Sequence, residues 1–286
     1  CSVISGVAVL NMDGTVMVKS TLREEQKNDV DVVPEGLSNV KAIATSFFNV
    51  MALKADGTVV VWGYDGDGQC QVPEGVKDVI AIAANNWNTY CLALKSDGTV
   101  TAWGGNYAGQ CDVPAGLSKV TAIAASVTHC LALKADGTVA AWGNNGDGQC
   151  DVPPGLSGVA RVFAYDGFSL ALKNDGTVVA WGDNKKGQCD VPEGLSGVVD
   201  INISEHRCIA LKSNGTVVVW GNNCYGRRNV PAGLHDVVAV GSGGTHRAIK
   251  ADGSVESWGN APSFGDESQT GLSNVLTISG GVVIFR

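Results

Sequence analysis

One phrase recurs along this chain: an apolar run ending in Leu-Lys, an Asp-Gly-Thr triplet, then Val-x-x-Trp-Gly. The triplet stands at Asp13-Gly14-Thr15, Asp56-Gly57-Thr58, Asp97-Gly98-Thr99, Asp136-Gly137-Thr138, Asp175-Gly176-Thr177, Asn214-Gly215-Thr216 and Asp252-Gly253-Ser254. The spacings are 43, 41, 39, 39, 39 and 38 residues. Self-similarity at this period predicts a row of small supersecondary units, each of which buries its apolar face only by stacking on the next. Seven such units fill 286 residues, so residues 1–286 are expected to form a single domain.

The unit from Val120 to Gly155 shows what each repeat should become. Val120–Ala125, Cys130–Lys134 and Thr138–Trp142 are short apolar runs of strand length. The Asp136-Gly137 pair between the last two supplies the backbone conformations of a tight hairpin. After the loop Asn144–Gly148, Gln149–Val152 reads as a fourth strand, stopped by Pro153-Pro154. Four antiparallel strands in about 40 residues have the size of a propeller blade, which predicts an all-β, seven-bladed propeller. No segment has helical periodicity of useful length. Residues 274–286 match the opening strands of a repeat that the N-terminus enters partway, so the C-terminal segment is expected to complete blade one and close the ring. Repeat one departs from the pattern, with Lys19 in place of the tryptophan and a polar stretch at residues 21–28 that reads as a longer surface loop.

Composition narrows the functional classes. With 20 basic against 28 acidic side chains, the net charge of −8 argues against nucleic acid and anionic membrane surfaces as partners. No apolar run is long enough for a membrane-spanning helix. Seven of the nine cysteines follow the repeat, Cys70, Cys111, Cys150 and Cys189 in one phase and Cys91, Cys130 and Cys208 in another. Without a C-x-x-C pair they read as small buried hydrophobes, with disulfides between the phases left open, and their usage fits a reducing setting. No nucleophile elbow, phosphate-binding loop or zinc-protease motif is present, and His129, His206, His235 and His246 are scattered. Asp65 and Asp67 resemble a calcium loop but lack its twelfth-position glutamate. No catalytic residue, metal or cofactor is expected.

Antiparallel order places the loops after the first and third strands of each unit on one rim, and the Asp-Gly turns and Val-Pro crossovers on the other. The second rim hardly varies among the repeats, whereas the first varies strongly and is aromatic. Outside the repeated tryptophans the chain has twelve aromatics, and ten fall in or beside these loops: Phe47, Phe48, Tyr64, Trp87, Tyr90, Tyr107, Tyr165, Phe168, Tyr225 and Phe264. Tyr90 and Phe168 share the phase of His129 just before a strand, where an inward, structural role competes with contact. The remaining aromatics suit protein contact, because Tyr and Trp present large rigid faces. Charge on this rim is uneven, with Asp65, Asp67, Asp147 and Asp166 in repeats two to five. Lys185, Lys186, His206, Arg207, Arg227, Arg228 and Arg247 follow in repeats five to seven. A basic sector there would steer an acidic patch of a partner.

The combination L-A-L-K-x-D-G-T-V-x-x-W-G-x-N-x-x-G-Q resembles the regulator of chromosome condensation repeat, a family of seven-bladed propellers. The family includes nucleotide exchange factors, plant photoreceptors, ubiquitin ligase modules and bacterial β-lactamase inhibitor proteins, so the fold does not settle the function. The short units look most like the compact bacterial members. That resemblance implies a monomeric, non-enzymatic protein-binding propeller, secreted or on a bacterial cell surface, with a β-lactamase as first candidate partner. Phe47, Phe48, Tyr64, Trp87, Tyr107, Tyr165, Lys185, Lys186, Arg207, Tyr225 and Phe264 are the candidate partner-binding residues. Carbohydrate or cell-surface adhesion is the first alternative, and regulation of guanine nucleotide exchange the second.

Overall fold

Each Asp-Gly-Thr triplet closes a hairpin because the aspartate side chain takes up the donors that the turn exposes. Asp136 Oδ1 accepts the Thr138 amide at 3.0 Å and the Thr138 hydroxyl as well, while Gly137 adopts φ 77°. These bonds, with Lys134 beside them, hold the Asp136 carboxyl down to about 2. The same turn recurs in the other repeats.

A computed structural model describes residues 7–11, 13–19, 32–46, 48–84, 89–204, 206–226, 228–242, 245–259, 275–279 and 282–285. Among the described residues it is all-β apart from one short 3-10 turn at Cys224–Gly226. The chain opens with β1 (Val7–Leu10) and β2 (Val16–Lys19), followed by β3 (Val40–Thr45), β4 (Asn49–Lys54) and β5 (Val59–Gly63). Next come β6 (Val79–Ala83), β7 (Tyr90–Lys95), β8 (Val100–Gly104), β9 (Val120–Ala125), β10 (His129–Lys134) and β11 (Val139–Gly143). Then follow β12 (Val159–Tyr165), β13 (Phe168–Lys173), β14 (Val178–Gly182), β15 (Val198–Ser204), β16 (Arg207–Lys212) and β17 (Val217–Gly221). The last are β18 (Val237–Ser242), β19 (His246–Lys250), β20 (Val255–Trp258), β21 (Val275–Ser279) and β22 (Val282–Phe285). From β3 to β20 they form six three-stranded antiparallel sheets, each with the second strand of its repeat in the middle; β1–β2 and β21–β22 are two-stranded.

The expected fourth strand is replaced by a closed loop. The amides of residues 147 to 152 that a ladder would need are taken locally: Asp147 N by the Gln149 side chain, Cys150 N by the Asn145 side chain, Asp151 N by Gly148 O and Val152 N by Cys150 O. A segment whose donors are satisfied this way has little left to offer a neighbouring strand.

The core lies between the sheets. On β10, Leu131 and Leu133 pack with Val159, Ala171 and Trp181 of the following sheet, whereas Cys130 and Ala132 pack with Tyr90, Leu92 and Leu94 of the preceding one. Burial on both faces explains why these strands are continuously apolar rather than alternating. Every described repeated tryptophan faces the preceding unit, and Trp62 does so against Ala8 and Val16 of the β1–β2 hairpin.

Neighbours are also hydrogen-bonded at both rims. Trp142 Nε1 donates to Gln110 O at 2.9 Å, and Trp103, Trp181 and Trp220 donate in the same way to Gln69, Gln149 and Gln188. At the opposite rim Val159 N donates to Gly137 O of the preceding turn at 3.2 Å. Within a unit, the glycine after the tryptophan permits close pairing with the head of the middle strand. Gly143 has φ 102°, and a Cβ there would stand 2.5 Å from Thr128 O. Gly155 in the crossover has φ 78° with open space around it.

These two glycines separate conformational cost from steric cost. Gly155→Ala is expected to destabilise by about 1 kcal/mol, the cost of a left-handed alanine. Gly143→Ala adds a backbone collision and is expected to cost on the order of 3 kcal/mol or more. Urea unfolding midpoints of the two variants check the order, and equal midpoints would contradict it.

Candidate functional site: a variable rim

Most of the loop after each tryptophan is committed to structure. In the loop following Trp142, Asn145 accepts from Cys150 N and donates to Asp151, each bond under 3 Å. Gln149 is buried, and the Cys150 thiol donates to Asn144 O at 3.2 Å. Asn106 and Asn184 repeat these bonds in their own loops. Asp65 does equivalent work by accepting from Cys70 N and the Gln71 side chain, so it belongs to the loop and not to a calcium site. The positions left to vary are the second, fourth and fifth after the tryptophan: Tyr64, Gly66 and Asp67 in repeat two, Gly105, Tyr107 and Ala108 in repeat three, Asp183, Lys185 and Lys186 in repeat five.

Exposure is greatest at the fourth position, whereas the second-position Asp183 is nearly covered and accepts from Lys185 N and the Gln188 side chain. Tyr107 is 81% exposed and Tyr64 49%. Phe48 is half-buried with its ring centroid 6.3 Å from that of Tyr64, and Tyr165 is half-buried at the same distance from Phe168. Tyr225 lies in the 3-10 turn, while Phe47, Trp87 and Phe264 lie outside the described residues. Neighbouring loops are latched across repeats by one geometry: the fourth-position Tyr107 donates to the fifth-position Asp67, and the fourth-position Lys185 donates to the fifth-position Asp147 at 2.8 Å. The Tyr107 phenol is pushed up by its bond to Asp67, and the Lys185 ammonium is pushed up by Asp147 and Asp183.

The basic sector needs correction. Arg207 is only 1% exposed, because it is the first residue of β16 opposite Gly221 and points into the assembly rather than out of the loop. Lys185 is partnered by Asp147 and Asp183, and His206 stands 3.6 Å from Asp166. Arg247 is half-buried, Lys186 and Arg228 remain among the described residues as exposed cations, and Arg227 lies outside the described residues.

Arg207 belongs to a phase that sequence reading recognised only in part. Asn49, Tyr90, His129, Phe168, Arg207 and His246 each open the middle strand of a sheet, and all are buried. The 39-residue step from His129 through Phe168 and Arg207 to His246 is the signal that would have found the whole set. Their side chains knit successive units: Tyr90 donates to Ser126 O at 2.8 Å, His129 Nδ1 lies 2.6 Å from Ser126 Oγ, and His129 Nε2 lies 2.9 Å from Ser169 Oγ of the next sheet. The cysteines among the described residues are free thiols. Cys91, Cys130 and Cys208 are buried, and burial pushes the half-buried Cys70, Cys111, Cys150 and Cys189 up to about 11, so they stay protonated donors to loop carbonyls.

Burial lowers His129 to about 4, well below the ordinary imidazole value of 6.5. Its neutral form is favoured only in the folded state, so the unfolded chain binds the proton first as pH falls. The stability this represents is intact above about pH 6.5 and is lost as pH falls through about 4, an effect on the order of 3 kcal/mol. His129→Gln is expected to flatten the unfolding midpoint between pH 6.5 and 4 relative to the parent chain. A parallel pH dependence in the two would show that His129 is not its source.

Residues 40–69, 120–149, 159–188 and 198–227 match the regulator of chromosome condensation (RCC1) repeat. No curated protein sequence matches the chain. Among solved structures it is similar to Prp20p from Saccharomyces cerevisiae, with 19% identity over 79% of this chain and 73% of that one and a TM-score of 0.61. It is also similar to the CRINKLY WD40 ectodomain of the Arabidopsis thaliana receptor kinase ACR4, with 14% identity, 89% and 94% coverage and a TM-score of 0.63. For human WBSCR16 the values are 18%, 85%, 78% and 0.60. The chain is thus an all-β, propeller-like array carrying RCC1-type repeats.

Proposed function

We propose that this chain is a non-enzymatic protein-binding propeller whose variable rim docks on a globular partner. The observation that carries this reading is the exposure of Tyr107 and Tyr64 at loop positions whose neighbours, Asn106 and Asp65, do the structural work. Exposed aromatics that the fold does not need are the residue types that dominate protein interfaces. Protein binding is also the use to which the similar Prp20p is put, since that protein is described by its binding to Gsp1p and histones. A β-lactamase is the first candidate partner on the strength of the sequence resemblance to the bacterial inhibitor proteins. In the same reading the seven repeats act as one domain. The β21–β22 hairpin, which lies beside β18 and β1, joins β1–β2 as a seventh blade.

The test is titration of the protein into a panel of class A β-lactamases while following hydrolysis of a chromogenic substrate. Stoichiometric inhibition is expected, weakened roughly 10- to 1,000-fold by the double variant Tyr64→Ala/Tyr107→Ala. Inhibition undiminished in the variant would sink the rim. No inhibition across the panel would remove β-lactamases as the partner.

A further inference from the structure

The aromatic part of the rim is also its anionic part. The loops of repeats two and three, residues 46–48, 64–71, 84–89 and 105–112, contain no Lys or Arg, and they carry Asp65, Asp67 and Asp112. Among the described residues the exposed cations of the rim stand elsewhere, at Lys185, Lys186 and Arg228.

Within this sector the two exposed tyrosines are held in place. Tyr64 lies over Gly66, where any Cβ would overlap its phenol, and its ring is backed by Phe48. Tyr107 is tied through its hydroxyl to Asp67, and its ring edge comes within 3.1 Å of where a Cβ on Gly105 would stand. Glycine at these two positions gives each ring its seat. A phenol that donates to a carboxylate has a more electron-rich ring, and an electron-rich face attracts a cation. A flat guanidinium can stack on such a face and still bond a carboxylate at its edge, which a compact ammonium does less well.

We propose that the Tyr64–Asp67–Tyr107 sector is an arginine-recognition patch, and that the partner docked on the rim presents an arginine-bearing loop to it. The inference rests on the rim reading and gives it a chemistry: the partner surface opposite repeats two and three is basic. Two pre-positioned faces and a local negative charge complement one guanidinium, whereas an acidic partner surface would be repelled there.

The test uses the full chain with ring-labelled tyrosine and three short capped peptides, Gly-Arg-Gly and its citrulline and lysine counterparts, followed by NMR. Citrulline keeps the shape of arginine and lacks its charge. The arginine peptide is expected to shift the Tyr64 and Tyr107 signals saturably at millimolar concentration. Its affinity should fall at least threefold in Asp67→Asn, and the shifts should vanish in Tyr107→Ala. Tyr107 is 81% exposed, so that variant keeps the fold, which unchanged Tyr90 and Tyr165 signals would verify. Equal shifts with citrulline, equal affinity for lysine, or no shift at these two rings would each overturn the patch. Loss of the peptide effect alongside intact rim-dependent binding of a protein partner would remove the arginine inference and leave the rim reading standing. Peptide binding without any rim-dependent protein binding would do the reverse.

Discussion

The bond from the indoles of Trp103, Trp142, Trp181 and Trp220 to the glutamine carbonyl of the unit before, as from Trp142 Nε1 to Gln110 O, is the contact on which the rest of this structure depends. It takes one side chain and one backbone carbonyl that recur in every well-formed repeat and joins them across a sheet boundary. The carbonyl is buried beside Gln110, whose own side chain caps the Ala108 amide, so the loop that presents it is folded from within. A buried carbonyl left without its donor costs more than the bond itself contributes, which makes a lost tryptophan a defect at the interface of two units. Since the units of Trp103, Trp142 and Trp181 are each donor to the one before and acceptor for the one after, stability is distributed along the array.

That arrangement divides the loop after the tryptophan into two kinds of position. Asparagine at the third position, glycine at the sixth and glutamine at the seventh close the loop and present the carbonyl, while the fourth projects outward and the second and fifth vary in exposure from repeat to repeat. The fold therefore fixes where variation is tolerated, and the chain fills those places with tyrosine and aspartate in repeats two and three and with lysine in repeat five. Latches such as Lys185 to Asp147 join adjacent loops at the surface, where screening keeps the contribution of an ion pair small. Their consequence is orientation: a side chain tied at its tip presents a defined face to a partner at lower entropic cost.

The turns and the first three strands were legible because their signals are local, Asp-Gly for the hairpin and apolar runs for strands covered on both faces. The fourth strand misled for an equally local reason. Gln149–Val152 has the composition of a strand, but whether it pairs depends on donors already taken by Asn145 and by Gln149 itself. Arg207 misled because charge was weighed ahead of phase. A cation next to His206 reads as a loop residue, yet its distance of 39 from Phe168 places it at the buried head of a strand. Lys185 was legible as exposed, whereas its partner Asp147, 38 residues away, was not, because only the stacking of units brings the two together. Tyr64 and Tyr107 were legible as mid-loop residues, and both are exposed, but the glycines that seat them were invisible without coordinates.

The central claim, that structural and projecting positions alternate within one loop, is tested most directly by alanine substitution through residues 103–111 with the urea unfolding midpoint as readout. Trp103, Asn106 and Gln110 should each lower the midpoint clearly, and Tyr107, whose ring is largely solvent-exposed, should leave it within about 0.5 kcal/mol of the parent in stability. A loss spread evenly over these positions, or a larger one at Tyr107 than at Gln110, would contradict the claim.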